Sequence, residues 1–412
     1  MKQLTGLFIL LIILASCKKE NTDTESKQKI ISDSLGVIRV SIEKELGKTI
    51  PSLSVLIQTP DETLFATDSH EGEIDITPDT YFRFASNSKN FTSTAILNMY
   101  EDGWLDIYSN IIDTIPGSNI TYVPSGMSWE IPYKDKITIE QLLQHSAGVY
   151  DVDNDPVPNC NGRSFTEYTM ENNPNYQFTI DELVNQLTKY NLYYWEPGYS
   201  FHYSNTGYSI LSEIIARVYS EHAGSPKNFK DYLYDYIYGP NTTVPINIEF
   251  PYLANDQDMP TPHAIGTIYY PADLGGDTKY DASNMSAHVA EGNGYGTFNQ
   301  LNKYVRSLMT GNNVLSPESI TLMQTDFAPD TSGKSEYALG CRFKQNIGFG
   351  HNGLIRGYLS IMAYDPDHKV SIVVMMNAVD YRTDNGFAES FKGMYKGAWK
   401  VREMMGYPGN PN

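Results

Sequence analysis

Ser86 and Lys89 stand three residues apart in Phe84-Ala85-Ser86-Asn87-Ser88-Lys89, and an apolar stripe at helical spacing follows them. Phe91, Ala95, Ile96 and Met99 form the stripe, and Gly103 stops it. This pattern predicts a helix that buries one side and carries Ser86 and Lys89 on its first turn. Residues three apart share a helix face, so the Lys89 amine falls beside the Ser86 hydroxyl. A serine hydroxyl is a poor nucleophile at neutral pH and needs a neighbouring base. A lysine serves if burial and nearby positive charge lower its pKa. The free N–H groups of a helix start also stabilise developing negative charge. The tetrapeptide alone arises often by chance, and by itself it reads as a surface helix start with a solvated lysine.

The flanks narrow that choice. Thr77-Pro78-Asp79-Thr80-Tyr81-Phe82-Arg83-Phe84-Ala85-Ser86-Asn87-Ser88-Lys89 resembles the nucleophile segment of the serine β-lactamase and penicillin-binding-protein superfamily. The likeness is to the class C β-lactamase branch, with its DD-peptidase and esterase relatives. A second segment, Phe201-His202-Tyr203-Ser204-Asn205-Thr206-Gly207-Tyr208, runs into a helical stripe of Ile210, Leu211, Ile214, Ile215 and Val218. It resembles the family's Tyr-x-Asn motif, carried here by Tyr203 and Asn205. A phenol flanked by lysine can act as general base and then acid. The Asn205 amide can hold the lysine or a substrate carbonyl. The chain has 31 tyrosines, so the flanking match, not the bare tripeptide, carries this reading.

Gly350-His351-Asn352-Gly353 stands where the family has its third motif, Lys-Thr-Gly in class C enzymes and His-x-Gly in several peptidase relatives. It is expected between strands over residues 337–349 and 358–364, with a third strand over 370–376. The resemblance implies that His351 contacts the substrate and that Gly353 lets the backbone approach it closely. It also implies that the Leu354 N–H pairs with that of Ser86 as an oxyanion hole. His351 replaces the family's lysine and Asn352 its hydroxyl residue. A histidine is only partly charged near neutral pH. That argues against efficient penicillin hydrolysis and for a D-amino-acid peptidase or an esterase. Just beyond stands Arg356, whose guanidinium is a candidate to hold a substrate carboxylate.

The fold that the resemblance implies is α/β, an antiparallel β-sheet flanked by helices plus a mostly helical lobe over roughly 105–250. The match runs in pieces over residues 30–404, and 110–133 and 152–191 match poorly. The implied reaction is acyl transfer on a small-molecule or peptide amide or ester, with Ser86 as nucleophile and Lys89 and Tyr203 relaying the proton. It needs no metal and no organic cofactor. The alternative is a non-catalytic lipoprotein that binds the cell envelope or senses penicillin.

Residues 1–16 read as a lipoprotein signal peptide whose apolar run, 7–14, is too short to span a bilayer. Leu14-Ala15-Ser16-Cys17 resembles the bacterial lipobox, so Cys17 is the expected lipidation site and membrane anchor. Residues 17–28 are then a lipidated tether and 29–408 the β-lactamase-like hydrolase domain, placed in the bacterial cell envelope. A formal charge of −19 argues against a nucleic-acid partner and against attraction to anionic lipid heads. Cys160 and Cys341 could pair or stay free, and the oligomeric state is open.

Other segments read as scaffold. Ile30, Ile31, Leu35, Ile38, Ile42 and Leu46 mark an amphipathic helix, residues 52–59 and 63–67 two strands, and 390–404 a closing helix. Thr138 with Gln141, and Thr297 with Gln300, predict capping boxes. The second follows glycine-rich residues 292–298, which lack a phosphate loop's lysine. His145, near the end of the Thr138 helix, reads as structural. Asp151, Asp153 and Asp155 alternate, but Pro156 stands where a calcium loop needs glycine and no glutamate closes it. They read as a solvated acidic loop.

Overall fold

The computed structural model describes residues 26–331 and 336–411. The expected signal peptide, Cys17 and the first part of the tether lie outside the described residues. Helix α1 covers residues 26–46, so the end of the stretch read as tether is helical instead. Its Ile31, Leu35, Ile42 and Leu46 are buried. The chain continues through β1 (Ser52–Gln58), β2 (Thr63–Ser69), β3 (Tyr81–Arg83) and α2 (Ser88–Glu101). Next come α3 (Ile139–Leu143), α4 (Phe165–Asn172), α5 (Ile180–Tyr190), α6 (Asn205–Ala223) and α7 (Phe229–Tyr232). Then follow β4 (Gly266–Tyr269), β5 (Asp277–Tyr280), β6 (Tyr295–Thr297), α8 (Phe298–Met309) and α9 (Pro317–Thr325). The chain closes with β7 (Arg342–Lys344), β8 (Gly348–Ile355), β9 (Tyr358–Asp365), β10 (Val370–Met376), β11 (Ala378–Asp380) and α10 (Asp384–Met404).

The main sheet has six antiparallel strands in the order β2-β1-β10-β9-β8-β7, so it joins both ends of the chain. Successive side chains on a strand face opposite ways. Leu53, Val55, Leu359, Ile361, Ile372 and Val374 share one core with residues of α1 and α10. Leu56, Met362, Tyr364, Val373 and Met375 belong to a second core with α2, α6 and α8. Both faces are therefore covered, and the central strands read as nearly unbroken apolar runs. The architecture is α/β, an antiparallel sheet flanked by helices.

Three local expectations are corrected. Residues 337–349 are not one strand: the chain turns between β7 and β8, where Asn346 (φ 58°) and Gly348 (φ 108°) take left-handed backbone that breaks a ladder. The motif Gly350-His351-Asn352-Gly353 consequently lies inside β8, not between strands. Helix α2 is buried on all sides, not one: 11 of its 14 residues are buried. It can be so because its polar side chains find partners. Thr92 Oγ1 donates to Ala290 O at 2.6 Å, and Thr94 Oγ1 and Tyr304 Oη lie 2.8 Å apart. The Thr138–Gln141 capping box forms. At α8 only half does: Thr297 accepts from the Gln300 N–H, while the Gln300 side chain accepts from the Asn247 N–H instead.

Candidate active site

The turn carrying Ser86 is a 3-10 turn, Ala85–Asn87, that feeds directly into α2. Ala85 has φ 54°, a strained conformation for any residue but glycine. The surroundings hold it there. Phe84 O accepts from Asn87 Nδ2 at 2.7 Å and from Ser360 Oγ on β9 at 2.9 Å. Gly353 on β8 lies against the same carbonyl, where a Cβ would come within 2.3 Å of Phe84 O and 2.9 Å of Ala85 Cβ. The missing side chain of Gly353 thus makes room for the nucleophile turn. Every residue from 82 to 97 is buried except Ser86. Ser86 is thus the one residue of this segment that is not buried.

Lys89 is fully buried. Its ammonium donates to Asn205 Oδ1 at 2.7 Å and Glu291 O at 2.8 Å, and lies 3.2 Å from Ser86 Oγ and 3.3 Å from Glu291 Oε2. The ring centre of Tyr203 is 4.8 Å from Nζ. The structure therefore brings together Ser86, Lys89, Tyr203 and Asn205. The condition for Lys89 to act as a neutral base is not met. Burial lowers its pKa, but Tyr203 and the Glu291 carboxylate outweigh burial and raise it above the ordinary value. Lys89 is an ammonium here and not a neutral base.

Behind Tyr203 sits His145, with ring centres 4.2 Å apart. His145 Nδ1 accepts from the Ser204 N–H at 3.1 Å, and burial, with Lys89 nearby, pushes its pKa well below the usual range. It is neutral and props the Tyr203 ring.

The acidic loop is not solvated as expected. Asp151 is buried and accepts from the Asn205 N–H at the start of α6 at 3.0 Å, where a helix favours negative charge. Burial, with Asp153 beside it, raises its pKa to about 7. Asp153 Oδ2 accepts from Asn205 Nδ2 at 2.8 Å and lies 3.3 Å from His288 Nδ1. The same nitrogen lies 2.7 Å from Glu291 Oε1. Burial would neutralise His288, but Asp153 and Glu291 win and raise its pKa to about 9. Burial would likewise raise Asp153, yet the imidazolium holds it well below the usual carboxylate range. The donor atoms of Asp153, His288 and Glu291 all lie within 4.8 Å of one another, a spacing a cation would accept. The protonated Nδ1 already bridges the two carboxylates and neutralises half their charge. His288 and Glu291 were missed from sequence. The only signal was their i, i+3 spacing ahead of Gly292, which no motif shared.

His351 belongs to β8. It is buried, its Nε2 lies 3.0 Å from Tyr337 Oη, and burial with Lys89 and Arg342 pushes its pKa well below the usual range. It is neutral and its ring nitrogens are engaged by protein, so it offers substrate no cation. Leu354 and Arg356 do reach the cleft. A cavity of about 390 Å³ is lined by Asp153, Asn205, His288, Glu291, Leu354 and Arg356, among others. Arg356 and Gly357 form the two-residue β8–β9 turn with φ 46° and 85°, which projects the guanidinium from the sheet. Its Nη2 contacts Met170 Sδ at 2.9 Å and its Cζ lies 5.4 Å from the Tyr280 ring centre. Among the described residues it has no ion pair within 4 Å. Cys160 and Cys341 are both buried and unpaired.

A sequence model of the Beta-lactamase family matches residues 40–389. Protein flp of Staphylococcus aureus (strain MRSA252) is 28% identical over 197 residues, which cover 46% of this chain and 34% of that protein. The match thus spans about a third of that curated relative's length. Among solved structures, D-amino acid amidase from Ochrobactrum anthropi SV3 has TM-score 0.67 and 20% identity, covering 91% of this chain and 99% of that one. D-stereospecific amidohydrolase from Streptomyces sp. has TM-score 0.66 and 20% identity, covering 88% and 98%. At these identities the likeness is one of fold.

Proposed function

We propose, from the premise that this chain belongs to the Beta-lactamase family, that it hydrolyses amides or esters of amino acids or short peptides through an acyl-enzyme on Ser86. Ser86 Oγ attacks the carbonyl carbon while its proton is relayed through Tyr203. The same proton then goes to the leaving nitrogen or oxygen as that bond breaks. Lys89 stays charged throughout. Its ammonium, fixed by Asn205 and Glu291, favours negative charge on the phenol oxygen and on Ser86 Oγ. The backbone N–H groups of Ser86 and Leu354 receive the carbonyl oxygen. Water, activated by Tyr203, then releases the acid and regenerates Ser86.

One observation carries this reading: the fully buried Lys89 ammonium lies 3.2 Å from the hydroxyl of Ser86, the one residue of its segment that is not buried. The substrate class rests on weaker support. Neutral His351 gives a β-lactam carboxylate no cation, and the proteins named above as sharing the fold include amidases of D-amino acids. A fluorophosphonate should label Ser86, read by peptide mass spectrometry, and Ser86→Ala should lose the label. Labelling that survives Ser86→Ala unchanged would sink the assignment. A panel of D- and L-amino acid amides, p-nitrophenyl esters and nitrocefin then ranks the substrate classes, with D-amino acid amides expected above nitrocefin.

A further inference from the structure

Five side chains, Lys89 among them, close a ring. Lys89 Nζ reaches Asn205 Oδ1 at 2.7 Å, and Asn205 Nδ2 reaches Asp153 Oδ2 at 2.8 Å. Asp153 Oδ2 lies 3.3 Å from His288 Nδ1, which lies 2.7 Å from Glu291 Oε1. Glu291 Oε2 returns to Lys89 at 3.3 Å. The ring holds two cations and two carboxylates, joined through one amide. Its members come from α2, α6, the loop before α4 and the segment before β6. All but Lys89 also line the cavity of about 390 Å³. Low-dielectric surroundings make each link strong and each missing link costly.

We propose that His288 is a positioning residue for acyl transfer: its imidazolium neutralises Asp153 and Glu291, which leaves the Lys89 ammonium free to face Ser86 and Tyr203. Without that cation, two carboxylates compete for Lys89 and draw it toward the ring and away from the hydroxyl. The titratable groups facing His288 are Asp153 and Glu291, with Asp151 behind the first and Lys89 behind the second. His288 stays charged up to a pH of about 9, since the two carboxylates overcome its burial. Its loss of charge therefore falls on the alkaline side of the rate profile. The inference rests on the acyl-enzyme reading above.

The test begins with fluorophosphonate labelling of wild-type protein. An unlabelled Ser86 removes the acyl-enzyme reading and this one with it. On labelled protein, kcat and KM are followed against pH with the best substrate of the panel. Wild type should show an alkaline limb near pH 9; a profile flat through that region overturns the proposal without any variant. His288→Gln should lose about 10²-fold in kcat, with KM little changed and that limb absent. Adding imidazole to His288→Ala should restore part of the lost kcat, most strongly below pH 7, where free imidazole is charged. Folded variants (near-UV circular dichroism as wild type) that keep wild-type kcat and the same limb overturn it. So does a loss of kcat that imidazole leaves untouched while the limb persists, since that is the mark of a merely structural histidine.

Discussion

Lys89 sets the electrostatics of the site at the scale of single residues. In the proposed mechanism it stays charged and acts on Tyr203 through its field, not by taking the proton itself. Lys89→Ala and Tyr203→Phe should each cut kcat by about 10²-fold or more. The double variant should lose little beyond the worse single one, because the two act as a unit. Additive losses in kcat would separate their roles. Arg356 supplies the cavity with a cation that no carboxylate of the described residues claims within 4 Å. A hydrogen bond to a charged group contributes about 1.5–3 kcal/mol, or about 10–150-fold. Arg356→Ala should lower kcat/KM by that factor for substrates with a free carboxylate and spare their neutral esters. Equal losses on both would mean that Arg356 supports the turn instead. Ser86, Lys89, Tyr203 and Asn205 were legible because each motif is local, and helical spacing says what sits beside what. Glu291 was not: it reaches Lys89 across 202 residues, and no local pattern reports a contact made only by folding. The condition that burial lower the pKa of Lys89 is not met, because Tyr203 and, from that distant segment, the Glu291 carboxylate raise it.

Between elements, the critical contact is β8 against the nucleophile turn. Gly353 brings the two backbones so close that a Cβ would lie 2.3 Å from Phe84 O and 2.7 Å from Ser360 Oγ. Neither neighbour yields easily, because Phe84 O is a backbone atom and Ser360 is itself bonded to it and to Asn87. Gly353→Ala should therefore cost about 1–3 kcal/mol of stability, read as a lower Tm. It should also lower kcat, because a displaced Ala85–Asn87 turn moves Ser86 relative to Lys89. An unchanged Tm and kcat would show that β8 can step aside. Strands β9 and β10 were legible from their apolar runs, which double-sided burial enforces. The motif's place inside β8 was not. Its two ends differ: the turn into the strand depends on left-handed Asn346 and Gly348, and the turn out on Arg356 and Gly357. A left-handed arginine is rare enough that sequence alone does not propose it.

For the whole molecule, the remaining question is attachment to a surface. Among the described residues no helix is long and apolar enough to cross a membrane. The apolar run at residues 7–14 is too short to span one, and it lies outside the described residues. The formal charge of −19 gives an anionic bilayer no reason to attract the folded body. We propose lipid on Cys17 as the membrane anchor. A single acyl chain binds a bilayer only marginally, and a stable hold takes two chains or one chain with a polybasic patch. Lys18 and Lys19 are too few to be such a patch. The modification at Cys17 should accordingly carry more than one acyl chain. Metabolic labelling with a palmitate analogue should tag the protein, and mass spectrometry of the Cys17 peptide should count the chains. Cys17→Ser should move the protein out of the membrane fraction. A high-salt wash should leave wild type in place, because hydrophobic anchoring is not screened by ions as charge attraction is. A wild-type protein that takes up no label, or that salt releases, would reject the anchor.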